Sequence, residues 1–192
     1  MQHTQRRATK RDLPFIIDLA KKFSNQVGFL PRPAFEEIIA NKTTFLTTEN
    51  EDPAGYLLTR FTMRSMPHVA NIIQAAVCLD AQRRQHAAQL VNLFTTAAKS
   101  HGAYLAQCWC REDIDAVSFW TSIGFRPIAL RDPSNADARR LILFRKPLVP
   151  VALNLIHQLP TRSGWKASRT EGTIIALPAG SPKLVLKTAA IN

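Results

Sequence analysis

Asn71-Ile72-Ile73-Gln74-Ala75-Ala76-Val77-Cys78-Leu79-Asp80-Ala81-Gln82-Arg83-Arg84-Gln85-His86-Ala87-Ala88-Gln89-Leu90 passes from a buried strand through a basic turn into a helix. The first part is apolar and dense in β-branched and small residues. Beyond the turn, Leu90, Val91, Phe94, Ala97 and Ala98 recur at helical spacing along one face. A helix start of this kind leaves backbone amides unpaired at the positive end of the helix dipole, and such groups attract phosphate. Arg83 and Arg84 stand in the turn itself, where guanidinium groups add charge-assisted bonds that amides alone do not supply. The junction is therefore a candidate anion site.

Working outward, the helix closes at His101-Gly102, and Tyr104-Leu105-Ala106-Gln107-Cys108-Trp109-Cys110 reads as the next strand, completing a βαβ-like unit. Residues 113–122 read as a helix, and 125–130 and 141–146 as strands separated by a polar loop. Upstream, Asp12 is placed to cap a helix with Pro14 in its first turn, and Leu13, Ile16, Ile17, Ala20 and Phe23 supply its buried face. A short helix over 33–40 follows, then strands over 43–48 and 55–63 joined by a polar turn, most simply an antiparallel hairpin. The fold class expected is α/β: a mixed, mostly antiparallel central sheet flanked by helices. Residues 1–148 form the main domain, and 149–192 are a C-terminal extension with a short helix over 149–158 and a β-hairpin from 173–177 and 183–187.

Composition bounds the function. The chain has 192 residues and is 46% hydrophobic, enough for one proper core with an appendage. No apolar run approaches the ~20 residues that span a bilayer, and the start lacks a signal-peptide pattern, so a cytoplasmic protein with no membrane partner is expected. Three cysteines, Cys78, Cys108 and Cys110, do not make a disulfide framework. The Cys-x-Cys pair near His101 lacks a second ligand pair of zinc-site form, so packing is its expected role and no metal site is read. Net charge is +11, with 20 basic and 13 acidic groups in residues 1–148 and 5 and 1 in 149–192. Such a balance favours anionic ligands, and a pI near 10.2 makes nucleic acid a candidate partner beside simple solubility.

Three segments, in order, resemble the GNAT acyltransferase superfamily. Gln82-Arg83-Arg84-Gln85-His86-Ala87 is similar to its pyrophosphate-binding turn, with Gln85 standing where a glycine is usual. Ala116-Val117-Ser118-Phe119-Trp120-Thr121-Ser122-Ile123-Gly124-Phe125 resembles its later helix, which ends in an aromatic pair and then Gly-Phe. Arg7-Ala8-Thr9-Lys10-Arg11-Asp12-Leu13-Pro14-Phe15-Ile16-Ile17-Asp18-Leu19-Ala20 resembles its opening strand and first helix.

The resemblance implies acetyl-CoA or another acyl-CoA as cosubstrate and direct attack of an acceptor amine on the thioester, with the oxyanion held by a backbone amide. It implies that backbone groups of Val77 and Leu79 hold the pantetheine arm, and that Gln82, Arg83, Arg84, Gln85, His86, Ala87 and Ala88 receive the pyrophosphate. His86, at a polar helix start, is otherwise expected to be exposed. Many members carry tyrosine, as acid for the departing thiolate, at the place of Trp120, whose indole does not ionise usefully. Tyr56, Tyr104 and Cys110 are alternative donors. Some members carry glutamate as base at the place of Asn71, which instead would orient substrate. Asp113 falls near the expected cofactor position, with helix capping as its simpler role. Trp109 and Trp120 are candidate acceptor-pocket residues beside an ordinary core role. The acceptor is an unidentified amine, nucleic acid is a candidate partner, and the extension is a candidate oligomer contact. The competing class, motivated by Gln85, Trp120 and Asn71, is a noncatalytic GNAT-like binding module.

Overall fold

The strand pattern matures into one sheet. A computed structural model describes residues 3–132, 139–158 and 174–176. Strands β1 (His3–Arg7), β2 (Thr44–Glu49), β3 (Asp52–Arg60), β4 (Val69–Val77), β5 (Leu105–Arg111), β6 (Arg126–Arg131), β7 (Leu141–Pro147) and β8 (Ile174–Ala176) lie in the order β1-β2-β3-β4-β5-β7-β6-β8. Only β4 and β5 run parallel; the other neighbours are antiparallel. Helices α1 (Leu13–Lys22), α2 (Ser24–Val27), α3 (Arg32–Ala40), α4 (His86–Ser100), α5 (Ala116–Ser122) and α6 (Leu153–His157) cover the sheet. The mixed, mostly antiparallel α/β architecture expected from the sequence is the one observed.

Alternation along the strands divides the core. Phe45, Leu57, Ala70, Ala106 and Phe144 point to one side, where they pack with Leu90, Val91, Phe94 and Ala98 of α4 and Val117 and Trp120 of α5. Their sequence neighbours Leu46 and Leu58 point to the other side, against Ile16 and Leu19 of α1 and Phe35 and Ile38 of α3. Farther along that second side, Val69, Leu105, Leu143 and Ala129 meet Ile156 of α6. The apolar stripes of α1 and α4 are therefore what fix which face of the sheet each helix takes.

The beginning of α1 follows a different local chemistry from simple capping. Asp12 precedes it but makes no side-chain cap bond to it. Its carboxylate closes a capping box on the preceding 3-10 turn, accepting from Thr9 N at 2.7 Å, and takes the Arg6 guanidinium at 2.7 and 2.8 Å. The helix expected from Asp113 begins at Ala116 with Asp115 as its N-cap. Asp113 is instead gripped by Arg111 through both its oxygens, at 2.7 and 2.9 Å.

In the extension, the short helix condenses to α6, and β8 adds antiparallel to β6 with Ala129 opposite Ala176. The second half of the expected hairpin, 183–187, lies outside the described residues. Buried Arg145 anchors α6 by donating from Nη1 to Ile156 O at 2.9 Å and Gln158 O at 2.5 Å, and from Nε to Gln107 Oε1 at 3.0 Å. No carboxylate is among these partners, and burial pulls the guanidinium pKa down to about 10.

Candidate active site

The parallel pairing of β4 with β5 is short. Val69 faces Leu105 and Ile72 faces Cys108, and there the ladder stops. Beyond it β4 continues only against β3, and β5 only against β7. The β3–β4 register also shifts at this point: Leu58 faces Gln74 and Thr59 faces Ile72, leaving Ile73 as an extra residue. A bulge bends its strand and breaks pairing, and here it coincides with the place where the two strands part. The fork opens into a cavity of about 1130 Å³ lined by both strands, by the turn before α4, by α5 and by α2.

One end of the cavity is the basic turn. Arg83 and Gln85 take left-handed backbone conformations, with φ of 63° and 65°. Gln85 is the N-cap of α4, and no side chain caps that end. The first amides of α4 thus lack an intrahelical acceptor and are available to an anion. The requirement for a positive φ explains the usual glycine at Gln85 more directly than crowding does, because a side chain is strained in this region by about 1–2 kcal/mol.

Most of the expected cosubstrate residues line this cavity: Val77, Leu79, Gln82, Arg83, Gln85, His86, Ala87 and Ala88. Arg84 does not. Its Nη1 donates to both oxygens of Glu49 at 2.7 and 2.8 Å, at the end of β2. Arg83, highly exposed, makes among the described residues a single ion-pair contact, with Asp115 at 4.0 Å. His86 differs from expectation: it is almost completely buried. As first residue of α4 it turns inward, pairs through Nδ1 with Thr47 Oγ1 at 2.8 Å and stacks on His3 with ring centroids 4.4 Å apart. Burial, followed by the neighbouring His3, lowers its pKa, while Glu49 opposes the shift.

Trp109 and Trp120, the expected acceptor-pocket residues, both line the cavity. Trp109 is half-buried, with the Arg131 guanidinium 4.8 Å from its ring centroid. Trp120 is buried and meets Phe119 and Phe125 edge to face, so it closes the core as well as the cavity. Asn71 is not among the lining residues; it sits in the paired part of the fork, accepting from Gln107 Nε2 at 3.3 Å. Of the alternative proton donors, Tyr104 is exposed, stacked on His68 and away from the cavity. Tyr56 lines the cavity, but burial raises its pKa and its hydroxyl is committed to Gln74 Oε1 at 3.0 Å. Cys110 also lines it, with its thiol pushed up to about 12 by burial, against a smaller opposing effect of Trp120.

Two connections across the fork were not read from the sequence. Gln74 Nε2 donates to Val27 O and Gly28 O at 3.3 and 3.0 Å, tying β4 to the end of α2. From the opposite strand, Arg111 Nη1 donates to Asn25 O in the same helix. The available signal for Gln74 was an amide in the middle of an apolar stretch of strand; a buried amide of this kind must find partners.

A sequence model of the acetyltransferase (GNAT) family matches residues 14–125, which include the turn, α4 and α5. The chain belongs to the GNAT acetyltransferase family. Solved structures agree in fold: Ard1 from Thermoplasma volcanium has a TM-score of 0.67 at 13% identity, over 78% of this chain and 100% of the other. An N-acetyltransferase from Staphylococcus aureus Mu50 gives 0.66 at 18% identity, over 78% and 100%. The yncA protein from Salmonella typhimurium, crystallised with acetyl-CoA, gives 0.64 at 15% identity, over 78% and 96%. No curated protein matches the sequence. Among the described residues of this GNAT chain, no helix is long and apolar enough to cross a membrane.

Proposed function

We propose that the protein is an acyl-CoA-dependent N-acyltransferase, with acetyl-CoA as donor and an amine as acceptor. The observation that carries this reading is the open fork between β4 and β5, which leads to an uncapped helix start with Arg83 beside it. Family membership and the acetyl-CoA complex of the yncA structure support the donor. Beyond Ile72 the edge of β4 that β5 leaves is placed to hydrogen-bond the pantetheine arm, with Val77 and Leu79 at its end. Gln82, Arg83 and the α4 amides hold the pyrophosphate. The bound thioester supplies the activated acyl group; the protein orients the amine and stabilises the developing oxyanion.

Proton handling is the unusual part. Neither Asn71 nor Trp120 ionises usefully, and Tyr56 and Cys110 are held protonated by burial. We assign proton transfer to water, with the amine entering already deprotonated, so the rate should rise with pH up to the pKa of the acceptor. The net charge of +11 favours an acceptor amine on an anionic macromolecule, nucleic acid above all.

Calorimetric titration with acetyl-CoA tests the reading. Arg83→Ala should weaken binding about tenfold through loss of one charge-assisted contact, whereas Arg84→Ala should change it less than about threefold. Absent wild-type binding refutes the donor assignment. Binding without turnover across an amine panel that includes nucleic acids favours the binding-module reading.

A further inference from the structure

The ends of β1 and β2 and the first residue of α4 bring His3, Glu49 and His86 together, with one ligand-capable atom of each within 4.8 Å of the others. His3 Nε2 lies 3.5 Å from Glu49 Oε1. His86 is 1% exposed, and its Nε2 has no hydrogen-bond partner, as is also true of His3 Nδ1. A buried ring nitrogen left empty is costly. The other His86 nitrogen faces Thr47 Oγ1 at 2.8 Å; in the tautomer that donates from Nδ1 to this oxygen, the contact is the outer hydrogen bond that fixes the ring of a metal-bound histidine, and Nε2 carries the lone pair.

We propose that His3, Glu49 and His86 form a transition-metal site of the zinc type, outside the acyl-transfer chemistry. Two imidazoles and one carboxylate are a donor set suited to Zn²⁺, with the fourth position open to water. Ligand atoms around a tetrahedral zinc stand about 3.3 Å apart for metal–ligand bonds near 2.0–2.1 Å, so the site must contract modestly. His3, part-exposed at the start of its strand, is the ligand able to move, and contraction requires it to tilt out of its stack on His86. Glu49 is already engaged: Arg84 donates to both its oxygens at 2.7 and 2.8 Å. Metal binding competes with that guanidinium for Glu49 and returns Arg84 to the pyrophosphate turn. This consequence for acyl-CoA rests on the proposed function, but metal binding itself does not.

The test uses untagged full-length protein freed of metal, titrated with ZnCl₂ by calorimetry and with Co²⁺ by visible absorption. The expected result is one Zn²⁺ per chain and tetrahedral Co²⁺ bands. Both should weaken at least tenfold in His3→Ala and Glu49→Gln, which leave the buried core intact, and remain unchanged in His101→Ala. Circular dichroism confirms that each variant is folded, including His86→Ala, where loss of binding counts only if the fold is kept. Absence of stoichiometric Zn²⁺ binding to the wild type, or equal binding by folded His3→Ala and Glu49→Gln, overturns the assignment. If the metal site stands, acetyl-CoA affinity measured with and without Zn²⁺ tests the release of Arg84 separately.

Discussion

Gly55→Ala probes the cleft without replacing any side chain that lines it. Gly55 lies in β3 opposite Val77, and its φ is outside the left-handed region, so alanine is conformationally acceptable there. Space is the obstacle. A Cβ at Gly55 would stand 2.8 Å from Ala76 O, 3.0 Å from Val77 Cγ2 and 3.1 Å from Val77 Cα. Favourable carbon contacts need about 3.5–4.0 Å, and the β4 backbone is held by its ladder to β3. Overpacking of this kind costs about 1–3 kcal/mol. For a chain of this size about 2 kcal/mol lowers Tm by roughly 4–8 °C. Urea and thermal unfolding measure the loss, and acetyl-CoA titration should show weaker binding because Val77 is displaced at the mouth of the fork. Gly102→Ala is the counterpart: nothing lies within 4 Å of its Cβ, but φ is +82°, so its cost of about 1 kcal/mol comes from the backbone alone. Gly55→Ala within about 0.5 kcal/mol of wild type would show that β3 and β4 are not held as closely as the reasoning requires.

Gln85→Gly should relieve the left-handed strain at the N-cap of α4 and tighten acetyl-CoA binding by about threefold to tenfold; calorimetry showing weaker binding would refute the view that the side chain is a burden there. Asp12 has its carboxyl lowered to about 2, first by the Arg6 hydrogen bonds, against an ordinary 3.8. A depressed carboxyl stabilises the fold above the unfolded pKa and loses that contribution as pH falls from about 4 to 2, so Asp12→Asn should remove about 2 kcal/mol at pH 7 and flatten the acid limb of stability against pH. Arg145→Met should release α6, leaving the carbonyls of Ile156 and Gln158 without their donor. Hydrogen exchange should rise in α6 while the amides of β4 stay protected. Trp120→Tyr restores a phenol in the cavity wall, and turnover rising despite a modest loss of core packing would identify thiolate protonation as the limiting step.

The order of elements and the basic strand–turn–helix junction were legible in the sequence because each rests on local periodicity and local chemistry. The apolar stripe of α4 follows from Leu90, Val91, Phe94 and Ala98, and the arginines of the turn advertise their preference for phosphate without help from the fold. Tertiary structure decided what those groups do. Arg83 and Arg84 are adjacent and chemically alike, yet one faces the cavity and the other is taken by Glu49, a residue 35 positions away. His86 reads as a polar helix start and is nearly sealed, because β1 and β2 bring His3 and Thr47 against it. Asn71 and Gln74 are two amides in one strand, and a bulge with a four-residue parallel ladder sends one into the paired region and the other to the cavity. Periodicity along a chain specifies which face of an element is apolar. Which polar groups meet across faces depends on register and on the ends of pairing, and those are properties of the assembled sheet.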